Sequence, residues 1–245
     1  MSALAVMLIA VGTADAIRRV THAGWVAAVI APVVVAACAA LSGLWHLGDL
    51  PLLAIAAAAG VGWVVLGTRA ERAGGHHVAP LVVFGTALAA LILLSGWGSE
   101  VGGLVARWKD WVDIPGIGDV NPDKLLMVVG VVLLQIVTGN ELVRLVLSSV
   151  GAVKPEGQPQ PSDRLKGGRL LGPMERILIL GLGLAGQLAA ATAVVAAKSV
   201  IRFPEINAAR ARENGNIGID AVTEYFLVGS FASWIIALGG LALAH

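Results

Sequence analysis

Long apolar runs, separated by short polar segments, extend over almost the whole sequence. An α-helix of about 20 apolar residues is long enough to cross the hydrocarbon core of a bilayer, which is about 30 Å thick. The pattern therefore predicts an all-α polytopic membrane protein with about seven transmembrane helices. The predicted spans are residues 3–17, 24–45, 51–68, 81–97, 124–147, 174–203 and 222–243.

Tryptophans lie near the ends of several of these spans. Trp25 and Trp45 bracket the second span, and a helix joining them is about 30 Å long. Trp63 and Trp97 also lie near predicted span ends. Because indole rings concentrate at membrane–water interfaces, we interpret most of the tryptophans as interfacial anchors and not as a ligand-binding cage.

The segment 100–112 has a different pattern, with apolar residues at i, i+3, i+4 and i+7 and charged residues between them. This spacing predicts an amphipathic helix that lies in the membrane interface. The apolar positions are Val101, Leu104, Val105, Trp108, Trp111 and Val112.

The segment KPEGQPQPSDRLKGG, residues 154–168, is rich in proline and glycine and poor in apolar residues. Such a composition is typical of a linker. It predicts a five-helix N-terminal membrane region at 1–151, a cytoplasmic linker at 152–168, and a C-terminal two-helix membrane hairpin at 169–245.

The first predicted span resembles a signal peptide, because residues 3–12 are apolar and residues 14–16 have a small–x–small pattern. A signal peptide carries positive charge before its apolar core, and the first two residues here carry none. We therefore interpret the segment as a retained membrane helix. Asp15 lies one turn before Arg18 and Arg19, so we expect it to pair with one of them.

Composition supports the membrane assignment. Hydrophobic residues make up 57% of the chain, charged residues only 13%, and the mean hydropathy is +0.84. Soluble domains contain about 25% charged residues, so most of this surface is expected to contact lipid. The net charge of +1 does not point to nucleic acid, and the single cysteine, Cys38, cannot form an intramolecular disulfide.

Basic residues in the loops predict the orientation, since cytoplasmic loops carry an excess of Lys and Arg. With the N-terminus outside a bacterial inner membrane, more basic residues fall on the cytoplasmic side than on the outer side. The cytoplasmic set is Arg18, Arg19, Arg69, Arg72, Arg144, Lys154, Arg164, Lys166, Arg169 and Arg176. Basic residues around the 199–221 loop oppose this assignment. Either the fifth span is re-entrant and inverts the orientation of the later spans, or those charges have a specific role.

The segment RILILGLGLAGQ, residues 176–187, contains the Gly-x-Gly-x-x-Gly pattern of a dinucleotide-binding turn. That motif requires alternating strands and helices around it, whereas these glycines lie in one apolar run, 177–197. Pro173 and Glu175 are helix-start signals before the run. We therefore expect no dinucleotide and predict a helix-packing face. Its small residues are Gly183, Gly186, Ala190, Ala193 and Ala197, matched by Gly229, Ser233 and Gly240 on the last span.

The polar residues of the C-terminal hairpin form the candidate binding site, because charges in a membrane are costly unless they have partners. The candidate residues are Lys198, Arg202, Glu224, Tyr225 and Gln187. In an antiparallel hairpin, the cations at the end of one span meet Glu224 at the start of the next. Two interpretations stay open: a salt bridge that holds the hairpin together, or a basic pocket for an anionic headgroup or substrate.

Other polar residues have simpler explanations. Glu141 and Arg144 are spaced for an i,i+3 ion pair, and His46 and Asp49 for an interfacial hydrogen bond. His76 and His77 have no Cys or further His near them in sequence, so a metal site is not expected. Lys198 and Ser199 point in different directions on a helix and make a poor catalytic dyad, so we expect no enzymatic activity.

The C-terminal region, about 165–236, resembles an uncharacterised bacterial family of small polytopic membrane proteins, a domain of unknown function. The matching segments are LKGGRLLGPMERILIL, LAGQ, AAKSVIRFPEI and TEYFLVGSFAS. The matching positions are Glu175, Arg176, Lys198, Ser199, Arg202, Phe203, Glu224, Tyr225, Gly229 and Ser233. The chain departs from the family at Pro173-Met174, and residues 1–150 lack the family's His/Asp-bearing N-terminal segment. The resemblance implies a membrane protein but names no reaction.

These observations predict a non-enzymatic integral membrane protein without a cofactor. The favoured function is a membrane subunit or scaffold that binds a protein partner, a second copy of the chain, or membrane lipid through the C-terminal hairpin. The alternative is a transporter or lipid-handling protein that binds an anionic ligand at a Lys198/Arg202/Glu224 pocket.

Overall fold

The part of the chain that the computed structural model describes is predominantly helical, with no strand in those residues. The described residues are 1–21, 23–73, 75, 77–112, 120–153, 168–197, 200 and 219–245. The predicted linker segment 154–167 lies outside them, as do Lys198, Ser199 and Arg202. The all-α class is confirmed.

The described residues form ten α-helices. In chain order they are α1 (Ser2–Thr21), α2 (Gly24–Ser42), α3 (Asp49–Ala73), α4 (Val78–Leu93), α5 (Gly103–Trp111), α6 (Pro122–Leu133), α7 (Gly139–Ser149), α8 (Gly168–Leu184), α9 (Leu188–Ala197) and α10 (Ile219–Ala244). A 3₁₀ turn, Ser95–Trp97, follows α4, and a π-helical turn, Leu134–Thr138, joins α6 to α7.

Four helical segments are long and apolar enough to cross a membrane: Gly24–Ser42, Asp49–Arg72, Pro122–Ser149 and Thr223–Ala244. They coincide with the second, third, fifth and seventh predicted spans. Both their length and their composition are those of transmembrane helices, as the apolar pattern predicted.

The other three predicted spans are not confirmed as continuous crossings. Helix α1 carries Asp15, Arg18 and Arg19 near its end, and α4 has only 16 residues. The predicted span 174–203 is wrong as a single helix, because α8 ends at Leu184 and α9 begins at Leu188. Helix α8 also begins before Pro173, which lies inside it and not at its first position.

The described chain divides into two compact units. Unit 1 contains Met1–Thr138 and Leu243–His245, and unit 2 contains Gly139–Ala242. The division falls directly after the π-helical turn, within the helical segment Pro122–Ser149.

Helix α1 is the central helix of unit 1, and it packs against α2, α3 and α6. Its residues from Ser2 to Gly12 are buried without interruption. Helices α1 and α6 approach closely at two glycines. A Cβ on Gly12 would lie 2.8 Å from Leu133 Cβ, and one on Gly130 would lie 2.9 Å from the Ala5 carbonyl oxygen. The apolar run that looked like a signal peptide is therefore the core of this unit.

Gly186 ends α8 by adopting a left-handed conformation, with φ of +74°. The Gln187 N–H donates to the Leu182 carbonyl at 2.8 Å, and the Gly186 N–H donates to the Gly183 carbonyl at 3.0 Å. These two bonds form a Schellman motif, in which glycine is preferred because it has no Cβ. The third glycine of the Gly-x-Gly-x-x-Gly pattern is therefore a helix C-terminal signal.

The predicted small-residue packing face is consequently wrong as one continuous helical stripe, because it crosses the break between α8 and α9. Gly183 does pack closely, since a Cβ there would overlap the Leu241 side chain. Among the described residues nothing lies within 4 Å of a Cβ placed on Gly186. The apolar core of unit 2 instead joins α8, α9 and α10 through Ile179, Ala191 and Ala237.

Unit 1 has chemically different ends. The basic end collects Arg18, Arg19, Arg69 and Arg72 where α1 and α3 finish and α2 and α4 begin. At the opposite end, Asp49 bonds to Ser99, and Asp123 accepts a hydrogen bond from the Val101 N–H at 3.0 Å.

Helix α5 also lies at the end opposite the Arg residues, where the Gly102 N–H donates to the Ser42 carbonyl at 2.8 Å. Its apolar side chains Leu104, Trp108 and Trp111 are all exposed. A helix is therefore present within the predicted segment, and three of its predicted apolar positions are uncovered by the described chain, whereas Val101, which precedes the helix, is buried.

The positive-inside rule predicts that the basic end faces the cytoplasm. We expect Asp110→Cys, on α5, to react with a membrane-impermeant maleimide in intact cells. Val20→Cys, an exposed position at the basic end, should react only after permeabilisation. Both variants are made with Cys38→Ser, and labelling of both sites from outside would contradict this orientation.

The Schellman motif predicts that Gly186→Ala lowers the free energy of unfolding by about 1–2 kcal/mol, because a Cβ is disfavoured at this positive φ. Gly181→Ala is the matched control, since Gly181 lies on α8 with open space around it. It should be neutral or slightly stabilising. Thermal melting in mild detergent measures both, and equal melting temperatures for the two variants would refute the assignment.

Candidate functional site

Buried polar side chains in a membrane protein are costly and therefore indicate where structure or function requires them. The described residues contain several such groups, and three of them link separate segments of the chain. The Arg176 cluster is Arg176, Asn140 and Ser233; the Asp15 network is Asp15, Arg18, Trp63 and Glu71; the Asp49 cap is Asp49, Ser99 and His46.

The Arg176 cluster joins three helices of unit 2. Arg176 on α8 is only 1% exposed. Its Nη2 donates to Asn140 Oδ1 on α7 at 2.7 Å, and its Nη1 donates to Ser233 Oγ on α10 at 3.2 Å. The rigid fork of the guanidinium lets one side chain hold two helices at once.

Glycines make the space for this guanidinium. A Cβ on Gly139 would lie 2.8 Å from Arg176 Nε, and one on Gly172 would lie 3.4 Å from Nη1. Gly139 directly follows the π-helical turn Leu134–Thr138. Because a π turn inserts an extra residue into the helix, it changes which side chains of α7 face the neighbouring helices.

An ion pair lies on the same helix as Asn140. Arg144 donates from Nε to Glu141 Oε2 at 3.0 Å and from Nη2 to Oε1. The predicted i,i+3 pair is therefore confirmed, and its bidentate geometry is the strong form of an arginine–carboxylate contact. Glu141 is buried, so the pair covers its charge inside unit 2.

The Asp15 network connects α1 to α3 in unit 1. Trp63 Nε1 donates to both carboxylate oxygens of Asp15, at 3.1 and 3.0 Å. Arg18 lies 3.4 Å from Asp15 and 3.2 Å from Glu71, so it bridges the two helices. The predicted pairing of Asp15 with Arg18 or Arg19 is therefore confirmed, with Arg18 as the partner.

The position of Trp63 near a predicted span end suggested an interfacial anchor. The structure shows instead that this side chain is buried. It is 1% exposed and packs against Phe84 with ring centroids 5.3 Å apart. The indole N–H of Trp63 donates hydrogen bonds to the buried carboxylate of Asp15, which accounts for the buried position of the tryptophan. Trp25, Trp45 and Trp97 are exposed, as the anchor interpretation expects.

The Asp49 cap lies at the start of α3. Its carboxylate accepts hydrogen bonds from the Ser99 N–H at 2.7 Å, from Ser99 Oγ at 2.6 Å, and from the His46 N–H at 3.1 Å. His46 Nδ1 lies 3.5 Å from the same carboxylate. These contacts agree with the interfacial hydrogen bond that the sequence suggested, and they anchor the connection between α4 and α5.

The candidate pocket on the C-terminal hairpin is only partly described. Lys198 and Arg202 lie outside the described residues. Glu224 is exposed on α10, Tyr225 is half-buried and interacts with a neighbouring group, and Gln187 is exposed between α8 and α9. The proposed contact between the cations and Glu224 stays a prediction.

Arg176 is the residue that sequence reasoning misplaced. The loop-charge pattern assigns it to the cytoplasmic side as a loop cation, whereas the structure buries it within α8. A signal was available, since Arg176 directly precedes the apolar run 177–197, while Asn140 lies inside another predicted span.

Comparison of the chain with protein-family models, curated proteins and solved structures gave no match. The resemblance of the C-terminal region to an uncharacterised family therefore stays a prediction. Within the described residues, no group of three or more His, Cys, Asp or Glu side chains is placed to hold a metal ion.

We expect Arg176→Met to lower the free energy of unfolding by about 2–4 kcal/mol, because it removes the hydrogen bonds to Asn140 and to the buried Ser233. Arg176→Lys should recover only part of this loss, since an ammonium lacks the planar fork. Thermal melting and denaturant titration in detergent measure the effect.

Met174→Leu is the control for the Arg176 variants, because Met174 lies on the same helix and is exposed. It should leave the melting temperature unchanged. An Arg176→Met protein as stable as the Met174→Leu protein would show that the cluster does not hold the three helices together.

Proposed function

We propose that this chain is a non-enzymatic, multi-pass protein of the bacterial inner membrane and acts as a membrane subunit. In this role it binds a second membrane protein through its C-terminal unit. The proposal includes about seven membrane crossings, with α1, α4 and the α8–α9 pair crossing in addition to the four long apolar segments.

The observation that carries the proposal is the contrast between the two faces of α10. One face is buried in unit 2 through Ser230, Ser233 and Ala237. The other face is exposed and carries large apolar side chains at intervals of about one turn: Leu227, Phe231, Ile235 and Leu238.

The Arg176 cluster supports this function because it holds α10 in place. Ser233 bonds to Arg176, so the orientation of α10 about its own axis is fixed relative to α8. The exposed line of α10 is then presented as a pre-organised surface. Membrane helices associate by van der Waals packing, for which a fixed, complementary surface is needed.

The buried charges support a binding role over chemistry. Asp15 contacts Trp63 and Arg18, and Glu141 contacts Arg144. Each of these carboxylates interacts with a side chain of a neighbouring helix or of the next turn of its own helix. Such contacts stabilise the fold.

Site-specific photocrosslinking tests the proposal. The photoreactive residue p-benzoylphenylalanine replaces Phe231 on α10 or, as the matched control, Val82 on the exposed face of α4. In intact membranes we expect Phe231 to give a discrete protein adduct, because the partner covers this face. Val82 should give only lipid adducts. Mass spectrometry of the adducts identifies the partner or a second copy of the chain.

Lipid adducts alone at both positions would refute the proposed partner surface. The Ile235→Ala variant supplies a second readout, because removing a contacting side chain should reduce the Phe231 adduct several-fold. The same substitution should leave the melting temperature of the isolated protein almost unchanged, since Ile235 is exposed in it.

A further inference from the structure

We propose that a cleft at the basic end of unit 1 binds the headgroup of an anionic phospholipid. The cleft has a volume of about 510 Å³ and lies between the start of α2 and the end of α3. Its lining residues are Ala23, Gly24, Trp25, Ala28, Val65, Thr68, Arg69 and Arg72.

Two uncommitted cations give the cleft its charge. Arg69 and Arg72 are exposed and one turn apart on α3. Glu71 lies between them in sequence but contacts Arg18 at 3.2 Å, on another face of the helix. Within the part of the chain that the structure describes, neither Arg69 nor Arg72 forms an ion pair. Two arginines without a carboxylate are suited to a phosphate group.

The floor of the cleft is formed by a close approach of α2 and α3. A Cβ on Gly24 would lie 3.0 Å from Thr68 Oγ1, so glycine lets the two helices meet here. Thr68 Oγ1 donates to the Val64 carbonyl at 2.6 Å, and its oxygen can still accept a hydrogen bond. The two helices are therefore in close contact at Gly24 and Thr68, and Arg69 and Arg72 supply the charges of the cleft.

The apolar side of the cleft continues as a path for an acyl chain. Trp25 is 75% exposed, and Val29 and Val33 follow at one-turn intervals on the same face of α2, at 56% and 58% exposed. This line extends about 12 Å from the headgroup position along α2. Trp25 is placed as an indole at the level of the headgroups, where its N–H meets polar atoms and its ring meets lipid.

The charge of the two arginines and the exposed apolar side chains on α2 together favour a phospholipid over a free anion. The cations lie at the end of an apolar helix, and the exposed Val29 and Val33 continue along α2 from Trp25, which lines the same cleft. Basic pockets between membrane helices on the cytoplasmic side are suited to anionic headgroups. A phospholipid satisfies the arginines and covers the valines at the same time, whereas inorganic phosphate satisfies only the arginines.

The test uses the full chain in mild detergent and native mass spectrometry to measure lipid binding. The probes are dioleoylphosphatidylglycerol and, as the neutral counterpart, dioleoylphosphatidylcholine. We expect the wild type to prefer the anionic lipid. The double variant Arg69→Gln/Arg72→Gln should bind it roughly 30-fold more weakly, since each basic residue near the membrane surface contributes about fivefold.

Three further variants separate the contributions. Arg69→Lys/Arg72→Lys should retain most of the affinity because both charges remain. Arg107→Gln, which removes an exposed cation from α5, should bind like the wild type. Trp25→Leu keeps both cations and should weaken binding several-fold, so the proposal stays testable if the double glutamine variant fails to fold.

Two results would overturn the proposal. One is equal phosphatidylglycerol affinity in the wild type and a folded Arg69→Gln/Arg72→Gln protein. The other is complete displacement of the lipid by inorganic phosphate at an ionic strength where chloride has no effect, which would indicate a simple anion site. Photocrosslinking at Phe231 is independent of either result, because it reports on unit 2.

Discussion

A charged side chain inside a bilayer cannot be solvated by lipid, so it must find its partners on neighbouring helices. This constraint organises both units. In unit 2, Arg176 bonds to Asn140 and Ser233 and so holds α7, α8 and α10 together. In unit 1, Asp15 bonds to Trp63 and so holds α1 against α3. In each case the polar contact specifies which helices are neighbours, a choice that apolar packing alone determines only weakly, because lipid is as apolar as leucine.

Glycines at the helix contacts leave room for polar side chains and for close approach of the helices. Gly139 leaves the space that the Arg176 guanidinium occupies, and Gly12 lets α1 approach α6 at Leu133. Gly186 acts differently, because its left-handed backbone ends α8 before the helix would otherwise finish. These glycines therefore act in two physical ways, by permitting close approach and by adopting a left-handed backbone conformation. Only the second concerns the Gly186 position of the dinucleotide-like motif.

The distribution of charged residues at the ends of unit 1 underlies the proposed binding of lipid. Arg18, Arg19, Arg69 and Arg72 lie at one end of unit 1, whereas the other end carries the hydrogen-bonded Asp49 and Asp123 as well as the cation Arg107. The first end provides the proposed lipid cleft at Arg69 and Arg72, whose neighbour Glu71 is already bound to Arg18. The exposed apolar line of α10 belongs to unit 2 and supports a separate role, that of a partner surface. Lipid binding and partner binding thus rest on different residues and on different physical interactions.

The sequence by itself determined the helical class and four of the seven predicted spans, because helix length and composition are local properties. It also determined the pair Glu141–Arg144 and a pairing of Asp15 with Arg18 or Arg19, because i,i+3 and i,i+4 spacing is local as well. It did not determine the roles of Trp63 and Arg176. Their partners are 48 residues away at Asp15 and 57 residues away at Ser233. Which distant residue meets a buried polar group depends on which helices pack together, and only the tertiary structure decides that. The helix break at Gly186 was only partly predictable from the sequence. The glycine is visible there, but its positive φ is seen only in the structure.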